Sequence, residues 1–446
     1  MNALSRKDTL FISLMLFSLF FGAGNLIFPP FLGQSAGSEL WPAVTGFILS
    51  AVGLPILGVI AVAKSNGLQS LANRVHPVFA VVFTVMIYLA IGPFLGIPRA
   101  GSLAFEMGVQ PFLPEGVNVK VALFGYTFCY FALGYWLALK PSKLVDRFGK
   151  VLTPVLLVLI SLIFIRALSY PFEPAGHPAG NYVTKAFATG FTDGYATMDT
   201  IAALNFGIVI AMALKQKGMT DTKSIMASSI RAGVIAGTLL AIIYLMLAYL
   251  GSVSHADAAN GAVTLTNIVF TLFGPFGAVL LGIVFTLACL TTSVGLLTSC
   301  SQYFEQLVPK VSYKVWVSTI ALFSLLVANL GLTMILKISV PVLTAIYPVA
   351  IMLIVLSLTN SLFKGKQGIY ALSVLFVGAA SITDACLQSG VNLGAWGEFV
   401  RSFPFYNTGF GWLIPALVGT MGGYLFSFYS LRDKLVRSQE AKPYSK

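Results

Sequence analysis

With 446 residues, 57% of them hydrophobic and only 9% charged, the chain cannot dress a water-facing surface, for which about 25% charged residues is usual. Hydrocarbon must cover much of its exterior, which excludes a soluble enzyme. The net charge of +12 does not mark a nucleic-acid binder, because the basic residues are scattered between apolar runs and gather into no basic face with interleaved aromatics.

A helix needs about 20 apolar residues to cross a bilayer. Such runs are predicted at Thr9–Pro30, Trp41–Ala63, Val78–Ile97, Val119–Leu139, Val151–Tyr170, Thr184–Leu214, Ala232–Gly251, Phe273–Gln302, Val315–Leu332, Ile338–Leu358, Ile369–Leu387 and Gly409–Tyr429. Lipid offers no partner to an open backbone, and the runs are too long for barrel strands. The fold class is therefore an all-α polytopic membrane protein with 12 transmembrane helices. The N-terminus shows no signal-peptide cleavage pattern, so its first run is expected to stay attached. The longest stretches between runs, Glu173–Val183 and Ser252–Thr266, are too short to be domains, and the basic end from Arg432 reads as a solvated tail. With the N-terminus cytoplasmic, 21 of the 27 Lys and Arg residues face inward. Only Arg99, Lys120, Arg166, Lys185, Lys337 and Arg401 face outward. This asymmetry predicts that both termini are cytoplasmic.

The first run contains F-F-G-A-G-N-L-I-F-P-P, Phe20 to Pro30. Gly22 and Gly24 each weaken a helix by about 1 kcal/mol relative to Ala, and Pro29 lacks a donor and crowds the preceding turn. Asn25 adds an amide at membrane depth. The sixth run reads G-F-T-D-G-Y-A-T-M-D-T, Gly190 to Thr200, where a carboxylate at the bilayer centre costs about 3 kcal/mol or more and so seeks a cavity or a partner. Both segments are expected to break their helices, at equivalent positions of two five-helix halves. Paired interrupted helices are the sequence pointer to a transporter site built from inverted repeats. An unwound stretch frees amides that favour a carboxylate and carbonyls that favour a cation. The eighth run contains A-C-L-T-T-S, where Ala288, Thr291 and Thr292 share one helix face and offer hard oxygen donors.

The other polar residues carry blander readings. Cys129, Cys289, Cys300 and Cys386 form no C-x-x-C pair and read as packing residues. His76, His177 and His255 sit in or beside loops without a paired ligand. Arg99 reads as an interfacial anchor on the outer side, with an extracellular gate as the alternative. Asp384 reads as structural.

Three segments give the chain its resemblance: Phe20–Pro30, G-Y-A-T-M-D at Gly194–Asp199, and I-G-P-F-L-G-I-P-R-A at Ile91–Ala100. Over essentially its whole length it resembles the bacterial branched-chain amino acid carriers, the branched-chain amino acid:cation symporter family. The resemblance implies the 5+5 inverted-repeat core of the sodium-coupled leucine transporters, with helices 1 and 6 broken and two peripheral helices. One membrane domain would fill residues 1–446: a first repeat over 1–170, a second over 184–358, helices 11 and 12 over 369–429, and a cytoplasmic tail over 430–446. A bacterial inner-membrane location is implied. One sodium site is implied, from the backbone of Ser18 and Phe21 and from Ala288, Thr291 and Thr292. The substrate site is expected from Phe21, Gly22, Ala23, Gly24 and Asn25 with Gly194, Tyr195, Thr197, Met198 and Asp199. Phe21, Tyr195 and Met198 would form its apolar lining. Asp199 has three open roles: receiving the substrate ammonium, carrying a coupling proton, or pairing with a neighbouring helix.

The resemblance implies that leucine, isoleucine and valine are carried inward with sodium by alternating access, with no catalytic residues and no cofactor. The partners are the substrate, the ion and the bilayer. The alternatives are a proton-coupled permease of the same fold for another amino acid or a nucleobase, which Asp199 favours, and an ion channel. A channel calls for rings of charge or a filter sequence, and a membrane enzyme for clustered ionisable residues; neither is seen.

Overall fold

The computed structural model describes residues 4–141, 145–254, 258, 260–363 and 365–440. Lys143, His255, Lys364, Lys442 and Lys446 lie outside the described residues, as do the side chains of Arg147, Arg432, Lys434 and Arg437.

Among the described residues the structure is helical and without strands. In chain order the helices are α1 Arg6–Phe20, α2 Ala23–Ala36, α3 Leu40–Ile48, α4 Leu54–Ser65, α5 Leu68–Ala72, α6 Pro77–Leu89, α7 Gly96–Gly108 and α8 Val119–Ala138. They continue with α9 Thr153–Leu168, α10 Tyr182–Asp193, α11 Asp199–Gln216, α12 Thr222–Ser252, α13 Gly261–Phe273, α14 Pro275–Leu307, α15 Tyr313–Ala328 and α16 Leu332–Leu358. The last four are α17 Asn360–Phe363, α18 Gln367–Gln388, α19 Gly394–Arg401 and α20 Leu413–Glu440. Nine continuous helical runs among the described residues are long and apolar enough to cross a membrane, and α13, α15 and Leu413–Ser427 are shorter apolar helices.

Several boundaries differ from expectation, each for a local reason. The break in the first span falls at Phe21–Gly22, and α2 then runs on through Pro29 and Pro30. Proline fixes a φ that a helix accepts, so Pro29 costs one donor to the Asn25 carbonyl without ending the helix. The third span does not stop at Ile97. A wide turn at Ala90–Phe94, with Leu95 N–H donating to the Ala90 carbonyl at 3.1 Å, leads into α7. The stretch Ser252–Thr266 is not all loop. Asn260 caps α13 by accepting from the amides of Ala262 and Val263, and Gly274 ends it at φ +61°. The run expected at Gly409–Tyr429 forms α20, which continues to Glu440, well into the expected tail.

The chain forms two compact units, residues 1–63 with 86–343, and residues 64–85 with 344–446. In the first, α2 packs on α12 and α13, α1 on α11, α12 and α14, α3 on α10, and α7 on α14. Close backbone approach makes α2 the hub. A Cβ on Gly251 would strike the Pro30 carbonyl, and one on Gly261 the Ile27 carbonyl. Gly251→Ala is therefore expected to cost about 1–3 kcal/mol of overpacking. That loss is read as a lower thermal midpoint of the detergent-purified protein; an unchanged midpoint contradicts the contact. At one end of this unit Ser5 caps α1, and Lys217 beyond α11 pairs with Asp8 at 2.8 Å. The hydrogen bond from Lys217, and then that from Ser5, holds the Asp8 carboxyl below its ordinary range.

In the second unit, Ser65 and Ser357 share a hydrogen bond of 3.1 Å, and Arg74 donates to Tyr370 at 3.1 Å. α18 and α20 pack where a Cβ on Gly423 would lie 2.6 Å from the Ile369 Cα. Asp384 accepts from Tyr406 at 2.8 Å and from Gln388 at 3.3 Å. Every candidate site residue lies in the first unit.

Candidate functional site

The site grows from two helix breaks. α1 ends at Phe20, and Phe21 (ψ +88°) and Gly22 (φ −127°, ψ −152°) carry the chain to α2. In a continuous helix the Gly22 N–H would donate to the Ser18 carbonyl, four residues back. Here it donates instead to the Asn25 side-chain oxygen at 2.9 Å. The Ser18 carbonyl is thereby released from the helix ladder. It accepts from Thr291 at 3.0 Å and from Thr292 at 3.3 Å. Thr291 also bonds the Ala288 carbonyl at 2.9 Å.

Gly22 is required where it stands, since a Cβ there would lie 2.7 Å from the Thr292 hydroxyl. The Phe21 carbonyl precedes this contact and lies outside both ladders. Ser18, Ala288, Thr291 and Thr292 thus bring two carbonyls and two hydroxyls together in a buried place, with Phe21 adjoining. This all-oxygen donor set is of the kind a hard cation takes.

The second break separates α10 from α11. Gly194–Thr197 form a tight turn, and Met198 takes the left-handed conformation at φ +68°, which side chains other than glycine rarely adopt. The turn is closed by Thr197, whose hydroxyl donates to the Gly194 carbonyl at 2.8 Å and accepts from the Asp199 amide at 3.4 Å. Asp199 opens α11, where the helix dipole favours a carboxylate. Its Oδ2 accepts from the Asn25 side-chain amide at 2.7 Å and from the Tyr244 hydroxyl at 2.5 Å, and Asn25 also contacts Tyr244. Asn25 therefore holds both breaks, keeping the first open with its oxygen and the second docked with its nitrogen.

Between the breaks lies a narrow cavity. Gly22, Ala23, Gly24, Asn25, Thr197, Met198, Asp199 and Thr292, all expected at the site, line it. Phe21 is buried but stacks on Phe17, at a centroid distance of 5.2 Å, and takes no part in the lining. Tyr195 packs edge-on against Phe191, and Gly194 fits against Ser50. The apolar wall comes instead from Leu19, Phe20, Ile91, Ala202 and Leu296, together with Met198.

One polar residue escaped the sequence reading, and Arg99, read there as an interfacial anchor or an extracellular gate, stands elsewhere. Tyr244, in the middle of the uninterrupted α12, gives no signal in its surroundings. Arg99 was placed at the membrane surface, yet it is only 4% exposed and lines the cavity. Its guanidinium donates to the Ala196 carbonyl at 2.8 Å and to the Thr197 carbonyl at 3.4 Å. It also stands 5.9 Å from the centre of the Phe28 ring. The clue was the run of breakers from Gly92 to Pro98. These end one helix and start another, carrying Arg99 inward rather than past the end of a span.

Residues 5–429 match the family described as branched-chain amino acid transport protein. The branched-chain amino acid permease BrnQ of Bacillus subtilis is 46% identical over 431 residues, covering 95% of this chain and 98% of its own length. The permease BraB of the same organism is 45% identical over 433 residues, covering 96% and 97%. Among solved structures, the nucleobase-cation-symport-1 family transporter Mhp1, closed around bromovinylhydantoin, superposes with a TM-score of 0.59. That likeness spans 95% of this chain and 92% of Mhp1 at 13% identity, so it speaks for the fold alone.

Proposed function

The chain belongs to the branched-chain amino acid transport protein family, and from that premise we propose that it imports leucine, isoleucine and valine together with sodium, by alternating access. It is a multi-pass membrane transporter, and its relatives are permeases rather than enzymes. The observation that carries the sodium reading is the release of the Ser18 carbonyl into the reach of Thr291 and Thr292. Sodium enters as cargo, held by the carbonyls of Ser18, Phe21 and Ala288 and the hydroxyls of Thr291 and Thr292. The amino acid lies in the adjoining cavity, with its charged end between the first turn of α2 and the Gly194–Asp199 segment. Its branched side chain lies against Met198, Ile91 and Leu296.

The wider frame follows the same reading. Twelve helices cross an inner membrane with both termini cytoplasmic. Residues 1–170 and 184–358 form the two inverted repeats, 369–429 add two peripheral helices, and the chain ends in a cytoplasmic tail. Spans one, two, six and seven rock against the rest to open the cavity to either side. Because α1 carries sodium ligands and α2 meets the substrate, each ligand tightens the binding of the other.

A second reading has one observation in its favour. Asp199 is 2% exposed and bound by Asn25 and Tyr244, as a buried proton carrier would be. In that reading protons couple transport and the eighth-span threonines merely pack.

Competition tests the substrate class. Excess unlabelled isoleucine or valine is expected to suppress labelled leucine uptake to background, while uracil and lysine leave it unchanged. Suppression by a nucleobase, or none by isoleucine, contradicts the proposal.

A further inference from the structure

Of the residues lining the cavity, two are acid or base: Asp199 and Arg99. Arg99 keeps its charge at any pH that a protein tolerates. Its guanidinium holds the Ala196 and Thr197 carbonyls at the end of the unwound turn, and a Cβ on Gly24 would lie 2.8 Å from Nη2. Gly24 belongs to the first turn of α2, where the amides of Ala23, Gly24 and Asn25 have no acceptor within their own helix. Guanidinium and amides therefore converge on one part of the cavity, and all of them are donors. Asp199, fixed by Asn25 and Tyr244, supplies the acceptor in the same cavity. A space with a fixed cation on one side and a carboxyl acceptor on the other suits a zwitterion.

We propose that Arg99 receives the α-carboxylate of the transported amino acid, together with the first-turn amides of α2, while Asp199 faces its ammonium group. This rests on the cavity being the amino acid site, as argued above. It adds a specificity determinant: the protein selects a free α-carboxylate through a side chain of α7.

The test uses the purified full-length protein with sodium present and two probes, leucine and leucinamide. Leucinamide keeps the side chain and the amine but replaces the carboxylate with a neutral amide. Binding is measured at about pH 6, where the amines of both are protonated. Wild-type protein is expected to prefer leucine by about 10- to 150-fold, the range for losing one hydrogen bond to a charged group. Arg99→Gln is expected to weaken leucine by that factor more than it weakens leucinamide, so that the preference collapses, while any loss through the Ala196 and Thr197 carbonyls falls on both probes alike. Stabilisation by sodium alone, read on the same sample, should survive and certify the fold. A purely structural role for Arg99 would weaken both probes equally, and that result overturns the proposal. Should Arg99→Gln not purify, Arg99→Lys keeps the charge but loses the two-pronged geometry. It is then expected to reduce leucine binding at least about tenfold and to spare leucinamide. Equal affinity of wild-type protein for both probes overturns the proposal outright. Failure of wild-type protein to bind leucine at all strikes the underlying transport reading instead.

Discussion

Thr291→Ala combined with Thr292→Ala is expected to abolish sodium stimulation of leucine uptake while the protein still inserts and folds. Both hydroxyls meet the Ser18 carbonyl, and they are two of the five oxygens assigned to the ion. A bond from a neutral group to a charge is worth about 1.5–3 kcal/mol, so losing two weakens the ion by about 10²- to 10⁴-fold. Neither substitution introduces bulk. Thr291→Ser with Thr292→Ser, which keeps both hydroxyls, should retain most of the stimulation. Measuring initial uptake rates against sodium concentration for the three proteins decides the matter. Full sodium dependence in the double alanine variant places the ion elsewhere.

Asn25→Ala is expected to lower leucine uptake about 100-fold or more, with normal amounts of protein in the membrane. Three partners depend on this one side chain: the Gly22 amide, Asp199 and Tyr244. Without its oxygen, the Gly22 N–H is free to return to the Ser18 carbonyl and close the first break. Without its nitrogen, Asp199 keeps Tyr244 but loses a donor, and an under-satisfied buried charge costs at least about 1–3 kcal/mol. The two losses act on both ligand sites at once, so sodium and leucine affinity should fall together. Uptake within about twofold of wild type would show that the breaks are held by something other than Asn25.

The parts of the site that could be read from the sequence are those where composition conflicts with a membrane helix. Two glycines and an asparagine within four residues at membrane depth marked the first break, because nothing in a continuous helix calls for them. Gly194 to Asp199 marked the second in the same way. Helical spacing alone aligned Ala288, Thr291 and Thr292. The overall fold, as a set of apolar helices, was equally plain.

What escaped depended on tertiary context. Pro29 looked like a breaker, but a proline breaks a helix only if the rest of the chain lets it, and α2 is clamped by α12 and α13 through glycine contacts. Arg99 looked like a surface residue because its cavity is assembled from segments about 100 and 75 positions away in sequence, with the donors of one and the carbonyls of the other. Phe21 and Tyr195 were natural candidates for an apolar wall, yet aromatic rings find partners wherever they are buried, and theirs are Phe17 and Phe191. Spacing gives the face of a helix but not which side chains on that face meet a void.

Sodium-coupled import is open to a single experiment. Its most direct test is uptake of labelled leucine into proteoliposomes holding the purified protein, under an imposed inward sodium gradient and no pH gradient. Accumulation that collapses when choline replaces sodium is expected. Accumulation driven only by an inward proton gradient, indifferent to sodium, would contradict it and pass the coupling role to Asp199.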